Sequence, residues 1–278
     1  MANLLKNRWD KYTTTGNDGI IDYVLKTVGI QKGVFVEFGA ADGVRGSNCR
    51  RLWEGGWSGL FIEANKEQYK LLEKTYRGCK GVYCHFGVVS TSGESLFDII
   101  VDRYILGQPI DFCSIDIDGP DLEVFSTFSK YLPKVICIEG GQMLHPFHER
   151  VPENIANHNI QQSLKVICDV FAAKGYQVLC SYQDTFFVKN EFYSLFNVSM
   201  NLIELYFDGL AAIPHRLPFI QKCLLECGLR NKIVDDILAA TKYKKYGWKK
   251  RKIWVEERKS QILKAITKHR KKSMGEVL

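Results

Sequence analysis

Apolar positions along residues 20 to 190 fall into short runs that alternate between a helical and a strand-like spacing. Ile20, Ile21, Val24, Leu25 and Val28 recur at three- and four-residue intervals after a Thr/Asn/Asp start, which predicts a helix over about Asp18 to Val28, ended by Gly29. Strand-length apolar runs follow at Gly33 to Gly39, Gly59 to Glu63, Gly81 to His85, Phe112 to Asp116 and Lys134 to Glu139. Helical patterns separate them at Cys49 to Glu54, Lys66 to Tyr76 and about Asp121 to Tyr131. A further helix, Asn159 to Lys174, leads into two closing strands, Tyr176 to Ser181 and Thr185 to Val188. The alternation predicts an α/β chain of seven strands, mostly parallel, with helices on both faces of the sheet. Only Tyr182 to Asp184 joins the last two strands, too short a link for a crossover, so that pair is expected to be antiparallel.

Beyond about Met200 the pattern changes. Leu224, Leu225, Ile233, Val234, Ile237 and Leu238 suggest helices, and Lys244 to Lys252 is a basic run holding Tyr246 and Trp248. Val255, Ile262, Leu263 and Ile266 then fall at helical spacing in a basic, amphipathic stretch. The chain therefore divides, on sequence, into a domain over residues 1–200 and a helical basic extension over 201–278. From Thr241 to Leu278 there are 14 Lys and Arg against 3 acids, so the net charge of +7 belongs to the tail and the rest is acidic on balance. Such a tail suits a polyanion, a nucleic acid or an anionic membrane surface as partner, although a charge run is often only a solvated helix face.

Composition excludes several classes. At 278 residues, 46% hydrophobic and 25% charged, the chain can bury a substantial core and is not expected to be disordered. No apolar run approaches the roughly 20 residues that span a membrane. Met1 to Asp10 does not read as a signal peptide, so a cytoplasmic address is expected. Nine cysteines, at 49, 79, 84, 113, 137, 168, 180, 223 and 227, are scattered mostly within apolar runs and are expected to be reduced, buried thiols. None of them shows zinc-site spacing.

The strongest chemical signal is V-F-V-E-F-G-A-A-D-G, Val34 to Gly43, a strand that ends in an acid and runs into a glycine turn before the next helix. Glycine lets backbone approach a ligand closely, and the helix start offers N–H donors. Glu63 closes the next strand, where a carboxylate can accept hydrogen bonds from both hydroxyls of a ribose. A nicotinamide dinucleotide and S-adenosylmethionine both carry that ribose. The turn lacks the third glycine of G-x-G-x-x-G, and an acid at Glu37 favours a cationic methionine moiety over a pyrophosphate.

Four ordered segments, E-F-G-A-A-D-G-V-R-G-S-N-C (Glu37 to Cys49), G-W-S-G-L-F-I-E-A-N (Gly56 to Asn65), D-F-C-S-I-D-I-D-G-P-D-L-E-V-F (Asp111 to Phe125) and K-V-I-C-I-E (Lys134 to Glu139), resemble the FkbM-like family of S-adenosylmethionine-dependent methyltransferases. The resemblance covers roughly residues 30 to 190. It implies a Rossmann-like class I methyltransferase fold, with S-adenosyl-L-methionine as cofactor. It also implies that Glu37, Gly39, Ala40, Asp42 and Gly43 cradle the methionine end, with Ser47 and Asn48 nearby. Glu63 and Ala64 would then lie at the ribose, Phe86 and Gly87 beside the adenine, and Asp116 at the reacting end. Gly46 to Asn48 also suit a helix cap.

A hydroxyl acceptor needs a general base, or a metal that acidifies it, close to the methyl group. Asp116, Asp118 and Asp121 stand at and after the end of one predicted strand, and Glu139 closes its neighbour, at the carboxyl edge where open α/β sheets bind ligands. Converging carboxylates repel unless a cation or proton intervenes, so Asp116, Asp118 and Glu139 are candidate catalytic residues and candidate Mg²⁺ ligands. Asp121, and with it Asp118, could instead cap the next helix, with Pro120 in its first turn. His145 and His148 lie in the loop that follows, and either is a candidate base or a further metal ligand, with His145 placed among the catalytic candidates. The resemblance implies O-methylation of a carbohydrate or glycoconjugate. RNA or another small metabolite as acceptor, and a non-catalytic scaffold, are the competing readings.

Overall fold

The computed structural model describes residues 3–144, 146, 161–198 and 201–226; side chains of residues 222–226 are not described. His145, His148 and the basic stretch from residue 227 onward, on which expectations were placed above, lie outside these residues. The described residues fall into two compact units. One lies within Met1–Glu139, Ile167–Cys180 and Asp184–Val198, the other within Gly140–Val166, Ser181–Gln183 and Ser199–Leu278.

The first unit carries the sheet. Its strands are β1 (Val34–Phe38), β2 (Ser58–Glu63), β3 (Val82–Phe86), β4 (Phe112–Ile115), β5 (Val135–Glu139), β6 (Tyr176–Ser181) and β7 (Asp184–Lys189), in the spatial order β3-β2-β1-β4-β5-β7-β6. Parallel pairing links β3 to β2, β2 to β1, β1 to β4 and β4 to β5, while β7 runs antiparallel to β5. Only Tyr182 and Gln183 separate β6 from β7, so the reversed strand arises where the short link demanded it. This is the Rossmann-like class I methyltransferase arrangement. The order reverses at β1, which places β1 and β4 side by side, the switch point at whose carboxyl ends open α/β sheets bind ligands.

Successive residues of β1 point to opposite faces. Phe35 meets Phe61 at 4.9 Å, and Phe61 stacks on Tyr76 at 4.5 Å, at the end of α3 (Lys66–Tyr76). Asn65 caps α3 by accepting from the backbone N–H groups of Glu67 and Gln68. On the other face Phe38 packs near Phe97 and Phe128, which stack on each other at 3.7 Å. Phe125 stacks on Phe171, and Phe171 on Phe187, each at 3.8 Å. All of these rings except Tyr76 are under 2% exposed, each worth about 1.5–3 kcal/mol of burial.

The first helix, α1 (Asn17–Thr27), and a short α2 (Arg50–Glu54) fall where the spacing placed them. A helix not foreseen, α4 (Phe97–Ile105), buries Phe97, Ile100, Val101 and Ile105. Its helical spacing is obscured by three consecutive apolar residues, Ile99 to Val101. The helix after β4, α5 (Asp121–Ser126), stops five residues short of the expected Tyr131. Asp98 is the reason: its carboxylate accepts from the N–H groups of Ser129, Lys130 and Tyr131 and from the Ser129 hydroxyl. Those donors would otherwise continue the helix. The helix before β6, α6 (Leu164–Ala173), begins after Ser163 rather than at Asn159, which lies outside the described residues. A one-turn α7 (Asn190–Tyr193) follows β7. The seven cysteines of the described residues with placed side chains are free thiols; Cys49, Cys113, Cys137 and Cys180 are buried as expected, whereas Cys79, Cys84 and Cys168 are partly exposed.

The second unit holds α8 (Leu202–Ala212) and α9 (Leu217–Glu226). Gly209 of α8 lies so close to the Ser181 carbonyl that a Cβ there would stand 2.2 Å from its oxygen. Gln142 donates to the Ser181 hydroxyl, and Arg216 to the Gln183 side chain. Among the described residues no helix is long and apolar enough to cross a membrane.

Candidate functional site

The turn after β1 is built by backbone approach. Gly39 sits in the left-handed region at φ 77°, and a Cβ there would lie 1.5 Å from the Asp116 carbonyl oxygen. Only glycine lets the tips of β1 and β4 meet this closely. The Gly39 and Ala40 N–H groups donate to the Ile62 carbonyl of β2, and Gly43 N–H closes the turn onto the Ala40 carbonyl. A side chain at Gly43 would strike Leu72 and Tyr76, and the Tyr76 hydroxyl donates to its carbonyl at 2.6 Å. Ala40 is buried, and Gly39 presents its backbone to solvent.

Glu37 stands on the Phe35 face of β1 and is 4% exposed. Its carboxylate is engaged by its own loop: Oε2 accepts from the Ser47 hydroxyl at 2.6 Å and from Cys49 N–H at 3.3 Å, and Oε1 accepts from Asn48 N–H at 2.7 Å. Burial pushes its pKa up to about 7, against the opposing pull of those hydrogen bonds. Glu37 and Ser47, expected from sequence to touch or flank a methionine moiety, thus shape the loop. Ser47 Oγ also accepts from Arg50 N–H at the start of α2, but the N-cap of that helix is Cys49, without a side-chain cap, rather than a residue of Gly46 to Asn48. Asp42 folds the next turn by accepting from the N–H groups of Val44 and Arg45 through Oδ1, and among the described residues its Oδ2 carries no hydrogen bond.

Glu63, the last residue of β2, is 8% exposed. Oε2 accepts from Ala41 N–H at 2.7 Å and Oε1 from Asn65 N–H at 2.6 Å. These bonds aim the carboxylate at the β1 turn, and each oxygen keeps acceptor capacity for one more donor. Ala41 adopts φ 47° to make its bond. Phe86 pairs with Glu63 across β3 and β2, and Gly87 N–H donates to the Glu63 carbonyl. Phe86 leaves 49% of its surface exposed and lies 5.1 Å from the Tyr69 ring, so an open aromatic face flanks the acid. Ala64 is exposed beside it.

At the tips of β4 and β5, carboxylate oxygens of Asp116, Asp118 and Glu139 lie within 4.8 Å of one another. Asp116 N–H donates to the Phe38 carbonyl, which binds this corner to β1. Asp116 is exposed to solvent, yet the protein packed around its carboxyl, reinforced by the charges of Glu139, Asp184, Asp121 and Asp118, raises its pKa above the usual carboxylate range. Asp118 adopts a left-handed backbone at φ 55°. Neither it nor Asp121 provides a side-chain cap to α5, whose N-cap is Pro120. Asp121 is fully buried and reaches back to accept from the N–H groups of Ile117 and Gly119, so it fixes the loop that presents Asp116 and Asp118.

Three polar residues passed over on sequence complete this layer. Asp184, opposite Glu139 in the β5/β7 register, accepts from Asn17 Nδ2 at 2.6 Å. Asn17 Nδ2 also donates to Asn48 Oδ1 at 2.9 Å, and Asn48 Nδ2 to Ser114 Oγ at 2.8 Å. Asn17 reads in sequence as a helix start, Asp184 as a hairpin residue and Ser114 as part of an apolar strand. Burial of all three polar side chains below 6% exposure is their only signal, and it exists only in the folded chain.

No family model matches the chain, and no curated protein matches it. Among solved structures it is similar to a SAM-dependent methyltransferase from Aquifex aeolicus, at 14% identity over 60% of this chain and 86% of the other, with a TM-score of 0.38. It is also similar to a TehB-like SAM-dependent methyltransferase from Corynebacterium glutamicum, at 9% identity over 60% and 85%, with a TM-score of 0.39. At such identities and scores, what the chain does must be read from its own strand order and side chains.

Proposed function

We propose that this chain is an S-adenosylmethionine-dependent O-methyltransferase whose acceptor is a hydroxyl of a carbohydrate or glycoconjugate. One observation carries the reading: Glu63, pinned by two backbone N–H groups at a strand tip, faces a glycine turn whose neighbour, Asp116, heads a cluster of acids. A carboxylate with one acceptor position left on each oxygen suits the two hydroxyls of a ribose. Gly39, Ala40 and Asp42 would hold the methionine end, and Ala64, Phe86 and Gly87 would line the base. The acids favour a cationic sulfonium and disfavour the pyrophosphate of a dinucleotide, since like charges in a crowded crevice cost more than in water.

S-Adenosylmethionine supplies an electrophilic methyl group, so the protein needs only to align the acceptor and take its proton. Asp116, in its ionised form, is placed for the second task by its position at the β4 tip, and Asp118 and Glu139 stand within reach of it. The same three oxygens form a hard-ligand set suited to Mg²⁺, which would acidify a hydroxyl acceptor. The sugar acceptor follows from the sequence resemblance. An RNA acceptor fits less well, because phosphates approaching this cluster would meet negative charge.

Titration calorimetry with S-adenosylmethionine tests the cofactor, and a screen of sugars, nucleotide sugars and RNA with labelled methyl donor tests the acceptor. Absence of binding by the folded protein would refute the enzyme reading, and transfer to RNA alone would move the acceptor to the alternative. Manganese titration followed by electron paramagnetic resonance tests the metal, with loss of the bound signal expected in Asp116→Ala.

A further inference from the structure

The buried amide of Asn17 ties the donor side of this site to its acceptor side. Asn17 is the first residue of α1 and is 3% exposed. Its position is set by Gly16, whose N–H donates to Asp10 and whose left-handed backbone leaves no room for a side chain against Arg8. The Thr15 hydroxyl donates to Asn17 Oδ1, which turns Nδ2 the other way. The two hydrogens of Nδ2 then serve two acceptors, Asp184 Oδ2 and Asn48 Oδ1.

Each acceptor leads to a different half of the site. Asp184 faces Glu139 across β7 and β5, and its charge is among those that raise the pKa of Asp116. Asn48, by accepting from Asn17, is oriented to donate to Ser114 on β4, while its N–H, in the loop after β1, donates to Glu37 Oε1 on that strand. Two side chains therefore link residues 184 and 37, one on each side of the sheet's centre. A planar amide fixes both distance and angle, which neither acceptor could do alone.

We propose that Asn17 is a positioning residue: it couples the carboxylate of Asp184, beside the reacting acids, to the loop that shapes the cofactor site. The inference rests on the cofactor reading above. An Asn17→Ala change would leave Asp184 without one charge-assisted donor and release Asn48 to rotate, so disturbance on the acid side would no longer reach the loop.

The test is a double-mutant cycle on the full chain, with S-adenosylhomocysteine affinity measured by calorimetry for wild type, Asn17→Ala, Asp184→Ala and the double variant. Thermal transitions would identify a temperature at which every variant is folded. Each single change is expected to weaken binding about 5–10-fold, and the double change no more than the larger single, because both break one link. Asn17→Ser, which keeps one donor, is expected to give an intermediate loss and serves if Asn17→Ala does not fold. Unchanged affinity in the Asn17 variants, with only a lowered thermal midpoint, would reduce the residue to a structural role and overturn the proposal. Independent, multiplicative losses would do the same. If wild type itself fails to bind S-adenosylhomocysteine or S-adenosylmethionine, the cofactor reading falls, and the coupling with it.

Discussion

Replacing Glu37 by glutamine should flatten the dependence of stability on pH in a defined window. In the folded protein the carboxyl is buried, and its pKa rises from an ordinary 4.5 to about 7. The folded state therefore holds this proton more tightly than the unfolded chain, and protonation favours folding. The contribution is full below about pH 4.5, declines as pH rises, and is gone above about pH 7. At about 1.4 kcal/mol per pH unit, the interval amounts to about 3 kcal/mol. Glu37→Gln cannot ionise but can still accept from Asn48 N–H, so the variant should lose the slope and keep the fold. Its cost at acid pH should be about 1 kcal/mol, from the acceptor lost opposite Cys49 N–H. Urea unfolding of both proteins at half-unit steps from pH 4.5 to 8 measures the difference directly, and contributions from Asp116 and other acids cancel in it. Parallel curves for the two proteins would show that Glu37 is not a buried, proton-holding carboxyl, and the account of the β1 loop would fail with it.

Further outcomes follow from single contacts. Gly39→Ala forces a Cβ to within 1.5 Å of the Asp116 carbonyl oxygen, so it should cost about 3 kcal/mol or more, read as a large drop in the thermal midpoint. Glu63→Ala removes both the proposed ribose acceptor and the anchor of Ala41 N–H; S-adenosylmethionine affinity should fall about 10–100-fold by calorimetry. Asp116→Ala should lower methyl transfer at least about 100-fold, with cofactor affinity within about 3-fold of wild type, once the acceptor screen supplies a substrate. Full turnover in that variant would remove Asp116 from the chemistry.

Much of this was legible in the chain. Strand-length apolar runs and helical repeats gave seven strands with boundaries within a residue or two, because burial on a sheet and on a helix imposes periods that local sequence records. The length of the Tyr182–Gln183 link dictated the reversed strand. The acids at Glu37, Glu63, Asp116 and Glu139 stood out because each stands at or within one residue of the end of an apolar strand, and the two glycines at 39 and 43 stood out beside them. The helix α4 was hidden by its run of consecutive apolar residues, and the early end of α5 depended on Asp98, some thirty residues away in the chain.

Sequence by itself determined which elements form and which acids stand at strand ends, since these depend on neighbours only a few residues apart. Tertiary structure alone decided what each acid does. Glu37 turned inward to its own loop, Glu63 was pinned by a strained Ala41, and Asp121 served the loop rather than the helix end. It also joined Asn17 to Asp184 across 167 residues of chain. A carboxylate's duty is set by the donors, charges and burial around it, and those are brought together only when distant segments pack.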